Sequence, residues 1–169
     1  MSDSRRSLRE FKGATAALNS HDSNTGMNLF RTAIAPIASG APFFHATVVT
    51  GSREASVEAV AEGQADLASI DRVSFALLRR GRPDLIERVP VVAESPLSPG
   101  LPFIASARLG QETIEAVREA LLAALADPNL AEAQAALGLK GALVITPAGY
   151  DRVLEIEREA AAAGYARLA

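Results

Sequence analysis

Between residues 14 and 81 the sequence repeats one pattern three times: a short apolar run, then apolar residues at helical spacing. Short apolar runs are typical of buried strands, and apolar residues three and four apart are typical of amphipathic helices. The pattern predicts strands over residues 14–18, 46–50 and 66–70 and helices over 26–38, 53–62 and around 73–78. Repeated strand–helix units favour a mainly parallel α/β sheet with right-handed crossovers.

The pattern changes after residue 94. Three prolines and a glycine between residues 96 and 102 predict a stiff connection between two extended runs, 89–94 and 101–106. Helical patterns over 110–126, 129–137 and 148–163 follow, and residues 142–145 are expected to be extended. We therefore divide the chain into a lead-in (1–13), an α/β lobe (14–94), a Pro-rich crossover (95–106) and a C-terminal helical part (107–169).

Composition excludes several classes of function. The chain has 169 residues, 49% of them hydrophobic and 22% charged, which is a globular composition. A net charge of −3 argues against a general nucleic-acid or anionic-membrane surface. With no cysteine and two histidines, a transition-metal site would need mostly carboxylates, so no metal or cofactor is predicted. No apolar run reaches membrane-spanning length, and none follows the basic N-terminus as in a secretory signal.

An eight-residue polar stretch, Asn19 to Gly26, joins the first predicted strand to the first helix. The start of a helix leaves amide groups unpaired and carries a partial positive charge, so it attracts anions. The hydroxyls of Ser23 and Thr25, the amide of Asn24 and the peptide groups around Gly26 suit an oxyanion. The alternative is a polar loop that caps its own helix.

Two other predicted strands also end in polar residues. Thr50 and Ser52 follow the second strand, and Asp71 follows the third. In an open parallel sheet, ligands bind beyond the carboxyl ends of the strands, so these residues are expected to line the same site. His21 and Arg53 are additional candidates. The alternatives are a salt bridge between Asp71 and a nearby arginine, and a solvated His21.

Signatures of catalysis are weak. The chain lacks a Gly-x-Ser-x-Gly elbow, a Walker loop, a dinucleotide-binding glycine motif and a His-Glu-x-x-His pair. Ser20, His21 and Asp22 are consecutive, whereas a catalytic triad needs these groups in a relay geometry. We therefore expect a protein that is not an enzyme.

Several motifs together resemble the phosphate, phosphite and phosphonate substrate-binding proteins of ABC transporters, which have the type II periplasmic binding protein fold. The residues that carry the resemblance are Leu8-x-x-Phe11-Lys12-Gly13, Asp22-Ser23-Asn24-Thr25-Gly26, Phe43-Phe44, Val48-x-Thr50-Gly51-Ser52, residues 59–66 and Asp71. Pro99-Gly100-Leu101-Pro102 is similar to the family's return strand toward the first lobe.

The resemblance implies a three-layer α/β fold with one near-complete lobe and the C-terminal part of the other. It also implies a solute-binding protein for a small phosphonate-like or phosphate-like oxyanion that feeds a transporter permease. Ser23, Asn24, Thr25 and Gly26 correspond to the family's anion-binding loop, where Asn24 stands in place of a hydroxyl residue. The alternatives are a ligand-sensing regulatory domain of the same fold and, ranked lower, an enzyme of small-molecule metabolism.

The chain also departs from the family. Family members are longer, and their export signal and the first half of lobe one have no counterpart here. The resemblance implies a periplasmic location, and the lack of a signal within the chain leaves a cytoplasmic one as the alternative. Because helices that normally pack on the missing part would expose apolar surface, we expect a homo-oligomer.

Overall fold

The computed structural model describes residues 7–39 and 41–168. It divides into two compact units. The first contains the described residues up to Ser98 together with those from Asp151 onward, and the second is Pro99–Tyr150. Each unit is described by itself.

A parallel sheet forms the centre of the first unit. Its strands are β1 (Thr15–Leu18), β2 (Ala46–Val49) and β3 (Leu67–Ala68), in the order β2-β1-β3. Ala16 of the central strand lies opposite Thr47 on one side and Leu67 on the other. The predicted mainly parallel α/β sheet is confirmed, and its third strand is shorter than the five residues expected.

Helices connect and cover the strands. A π-helical segment, Asn24–Leu29, continues into α1 (Phe30–Ala38), and it is followed by α2 (Arg53–Ala61), α3 (Arg72–Gly81), α4 (Pro83–Ile86) and, after the second unit, α7 (Asp151–Ala162). A 3₁₀ turn, Leu8–Phe11, precedes β1. Pro36 lies inside α1, which continues to Ala38 and ends at Ser39 in the left-handed region (φ 55°).

The core of the first unit joins the sheet to the end of the chain. The rings of Phe43 and Phe44 meet edge-on with centroids 5.1 Å apart, and the ring of Phe30 lies 5.4 Å from that of Phe44. Tyr165 and Leu168, close to the C-terminus, are buried in the same cluster. The C-terminal residues therefore help to complete this core.

The second unit is helical. It contains α5 (Gln111–Ala126) and α6 (Ala131–Leu137), with 3₁₀ turns over Pro128–Leu130 and Pro147–Tyr150. None of its residues is buried. The expected return strand over 101–106 does not form, nor does a strand over 142–145, because the unit offers no neighbouring strand to share backbone hydrogen bonds.

The structure divides the C-terminal part differently from the sequence-based boundaries. Residues 107–169 were expected to form one part, but α7 packs in the first unit. Ile156 and Ala160 on one side of α7 are buried, and the Thr32 hydroxyl of α1 donates to the Ile156 carbonyl at 3.5 Å. Apolar residues four apart form a stripe that a helix buries against whichever surface is nearest in the folded chain.

Candidate functional site

The carboxyl ends of the three strands meet at one edge of the sheet. The amide of Thr50 donates to the carbonyl of Leu18 at 2.7 Å, which joins the ends of β1 and β2. The hydroxyl of Ser69, just after β3, donates to the carbonyl of Thr25 at 2.9 Å. The polar stretch that follows β1 therefore lies between the ends of the two outer strands.

Ser23 begins the helix at this edge. Its hydroxyl accepts a hydrogen bond from the amide of Gly26 at 2.9 Å. Its carbonyl accepts from the amides of both Met27 and Asn28, each at 3.1 Å. The bond from Asn28, five residues along the chain, gives the turn its π-helical form. The hydroxyl of Ser23 thus caps the helix, which is the alternative considered from the sequence, and its role toward a ligand stays a prediction.

Two amide groups at this helix start have no hydrogen-bond partner in the described part of the chain. Among the described residues, none accepts a hydrogen bond from the amide of Asn24 or of Thr25. The hydroxyl of Thr25 also has no hydrogen-bond partner there. These three donors and the positive end of a helix that runs on to Ala38 form a concentrated source of hydrogen bonds for an anion.

Position 26 requires a glycine because the side chain of Asn19 approaches it closely. A Cβ atom at this position would overlap the Oδ1 atom of Asn19. That oxygen is buried and accepts no hydrogen bond within the described structure. Asn19 therefore packs directly on the helix start, at the place where only a glycine leaves room.

The side chain of Asn24 is already engaged. Its Nδ2 donates to the hydroxyl of Ser98 at 2.9 Å, and its Oδ1 accepts from Nδ2 of Asn28 at 3.0 Å. An Asn at this position therefore ties the helix start to its surroundings, and its peptide N–H is the group left for a ligand.

The predicted residues after β2 and β3 also carry structural contacts. The hydroxyl of Thr50 lies 3.0 Å from the Leu18 carbonyl and 2.6 Å from the hydroxyl of Ser56. Ser52 caps α2 by accepting from the amide of Ala55 at 3.0 Å. The hydroxyl of Thr50 thus joins the end of β2 to that of β1, and the hydroxyl of Ser52 fixes the start of α2.

Asp71 joins α2 to α3. Its Oδ1 caps α3 by accepting from the amide of Ser74 at 2.8 Å, and its Oδ2 lies 2.5 Å from Nε of Arg53. The N–H of Arg53 does not point along this line, so the contact is an ion pair without a hydrogen bond, and both atoms are buried. The paired guanidinium offsets the charge of Asp71 and reduces its repulsion of an anion at the same edge.

His21 is exposed and lies beside a cavity of about 500 Å³ in the first unit. In the same loop, the hydroxyl of Ser20 donates to the carboxylate of Asp22 at 2.6 Å. This hydrogen bond is the main reason that the pKa of Asp22 is lowered from its ordinary value.

Two buried polar residues behind the helix start, Asn28 and Arg31, were not among the predicted site residues. Asn28 donates to the carbonyl of Val153 at 3.1 Å and accepts from Nη2 of Arg31 at 3.0 Å. Arg31 in turn donates to the carbonyl of Ala166 at 2.7 Å and pairs with Glu157 at 3.3 Å. The signal was an Asn and an Arg within an otherwise apolar helical stretch, but their partners outside that stretch, Val153, Ala166 and Glu157, lie more than a hundred residues away.

Other kinds of site find no support in the described residues. No group of three or more His, Cys, Asp or Glu side chains there could hold a metal ion. None of the helices in that part of the chain has the length and apolar character needed to cross a membrane.

Comparisons with known proteins complete the description. No curated protein matches the sequence. Among solved structures, the chain is similar to XAC2383 from Xanthomonas citri bound to chloride ion, with a TM-score of 0.64 and 18% identity. The match covers 95% of this chain and 62% of that one, and at this identity it establishes the fold. The family model described as ABC transporter, phosphonate, periplasmic substrate-binding protein matches residues 2–150, so the chain belongs to that family.

Proposed function

We propose that this chain binds a small phosphonate-like or phosphate-like oxyanion at the start of the helix formed by Asn24–Leu29 and α1. Membership of the substrate-binding family supports solute binding. The amides of Asn24 and Thr25 indicate the type of ligand, because neither donates a hydrogen bond to any residue in the described part of the chain. An oxyanion accepts such bonds strongly, since charge-assisted hydrogen bonds are about twice as strong as neutral ones.

The proposed roles follow from which groups are free. The amides of Asn24 and Thr25 and the Thr25 hydroxyl hold the oxygens, while Ser23 and Gly26 shape the helix start. In this proposal Thr50, Ser52 and Asp71 line the same edge, where Thr50 also fixes the end of β2, Ser52 caps α2 and Asp71 pairs with Arg53. The role requires binding and release without catalysis.

The wider role follows the family. We propose that the bound solute is delivered to the permease of an ABC transporter and that the protein acts in the periplasm. The chain spans 62% of the length of the solved relative, so in this proposal the helix start supplies one side of the site.

A proline at position 24 tests the amide directly. Ser23 is extended (φ −69°, ψ 126°), a conformation compatible with a following proline, and proline is favoured at the first helical position. Asn24→Pro removes the N–H together with the side chain, whereas Asn24→Ala removes the side chain alone. By calorimetry with methylphosphonate, we expect Asn24→Pro to bind at least about tenfold more weakly than Asn24→Ala.

Thr25→Val provides the matching test of the hydroxyl, with similar shape and no donor. Inorganic phosphate, methanesulfonate and acetate measured beside methylphosphonate rank the anion classes. Equal methylphosphonate affinity in Asn24→Pro and Asn24→Ala contradicts binding at this helix start. Failure of all four anions to bind the unsubstituted chain contradicts the proposed ligand class.

A further inference from the structure

His21 within the polar loop and Met27 directly after it line one open cavity of about 500 Å³. The cavity therefore borders the loop that carries the free amides of Asn24 and Thr25. Its other lining residues come from β1, β2 and the C-terminal segment: Leu18, Thr47, Ala166, Arg167 and Leu168.

The cavity has both apolar and polar groups in its lining. Met27 contributes a partly exposed apolar side chain, whereas the side chains of Leu18 and Leu168 are buried in the core. The guanidinium of Arg167 has no carboxylate partner among the described residues, and none of the seven lining residues is acidic.

We infer that this cavity receives the organic substituent of the bound phosphonate and favours substituents that end in a carboxylate. This inference rests on the proposed function. A chain of a few carbons packs against Met27, and the terminal carboxylate meets Arg167. Guanidinium matches a carboxylate with two parallel hydrogen bonds, and the ring N–H of His21 can add a third.

Three ligands of similar length test the inference: propylphosphonate, 3-phosphonopropanoate and 3-aminopropylphosphonate. By calorimetry with the full chain, we expect 3-phosphonopropanoate to bind about tenfold more tightly than propylphosphonate, as one charge-assisted contact provides. The amine should bind more weakly than propylphosphonate, because its ammonium group and the guanidinium of Arg167 are both cationic and repel each other.

Arg167→Gln should bring the affinity of 3-phosphonopropanoate close to that of propylphosphonate and leave propylphosphonate unchanged. Arg167→Lys should restore part of the preference, since it keeps the charge and loses the paired geometry. Arg79→Gln, which removes an exposed arginine of α3 outside the cavity, is the matched control and should change neither ligand.

The outcomes separate the two proposals. Equal affinities for the propyl and carboxylate ligands, or a preference that survives Arg167→Gln, overturn the inference and leave the anion site standing. Failure of all three phosphonates to bind overturns both. Loss of propylphosphonate binding in Arg167→Gln also contradicts the inference, because it assigns Arg167 to the phosphonate group instead of the substituent.

Discussion

At the scale of single residues, Asn19 and Gly26 determine how closely the first loop approaches the helix start. The Oδ1 atom of Asn19 occupies the space of a Cβ at position 26 and is buried without a hydrogen bond. The glycine is therefore needed for space, and its φ lies outside the left-handed region.

Gly26→Ala should lower the free energy of unfolding by about 1–3 kcal/mol, because Asn19 must move from a packed position. Denaturation in urea measures the change. Asn19→Ala in the same chain removes the obstacle, so the double variant should recover most of the loss. Equal losses in the single and double variants would show that the side chain of Asn19 is not the cause.

A second prediction concerns the buried network behind the site. Asn28 has bonds to Asn24, Val153 and Arg31, so Asn28→Ala leaves buried partners unsatisfied and should cost about 2–4 kcal/mol. Glu157→Gln removes only the charge that pairs with Arg31. The side chain of Glu157 is 58% exposed, so this change should lower the free energy of unfolding by less than about 1 kcal/mol. Urea denaturation compares the two, and similar losses would contradict the assigned burial of the network.

At the scale of elements, the site depends on how α2 and α3 are fixed after their strands. Both helices begin with side-chain caps, Ser52 and Asp71, and Arg53 in the first turn of α2 faces the carboxylate that caps α3. One ion pair thus joins the starts of two neighbouring helices.

Asp71→Asn and Asp71→Ala separate the cap from the charge. Asn is as good a helix cap as Asp, so Asp71→Asn loses the pairing with Arg53 and keeps the cap. Asp71→Ala loses both and should be less stable than Asp71→Asn by about 1 kcal/mol in thermal or urea unfolding. If the two variants are equally stable, the hydrogen bond from Ser74 does not stabilise α3.

At the scale of the whole molecule, apolar exposure is concentrated in the second unit. Leu101, Phe103, Ile104 and Leu143 are between 76% and 89% exposed, and no residue of Pro99–Tyr150 is buried. Extended apolar segments without partner strands are prone to associate.

We therefore expect the chain to form species larger than its 17.6 kDa monomer, increasingly so at higher concentration. Light scattering coupled to size exclusion measures the mass. Phe103→Asp with Ile104→Asp should shift the distribution toward the monomer, whereas a control at an exposed polar site, Ser95→Asp, should not. A monomer at all concentrations would contradict the expectation.

Local patterns predicted much of the first unit. The apolar run before Asn19 and the caps at Ser52 and Asp71 indicated β1 and the starts of α2 and α3, because strand burial and capping depend on nearby residues. Parallel topology also predicted that the polar residues after the three strands lie at one edge of the sheet. The contacts of Asn28 with Val153 and of Arg31 with Ala166 could not be predicted, since no local signal identifies a partner so distant in sequence.

By itself, then, the sequence determined the order of strands and helices, the polar helix start at Ser23–Gly26 and the resemblance to a substrate-binding family. Tertiary structure decided the rest. It placed α7 against α1 and left residues 101–106 without a partner strand. It also gave the side chain of Asn24 hydrogen-bond partners and left the amide of that residue without one among the described residues. The physical reason is that a helix can be specified by its own residues, whereas a strand needs the backbone of a neighbour and a buried polar group needs a partner that only folding brings near.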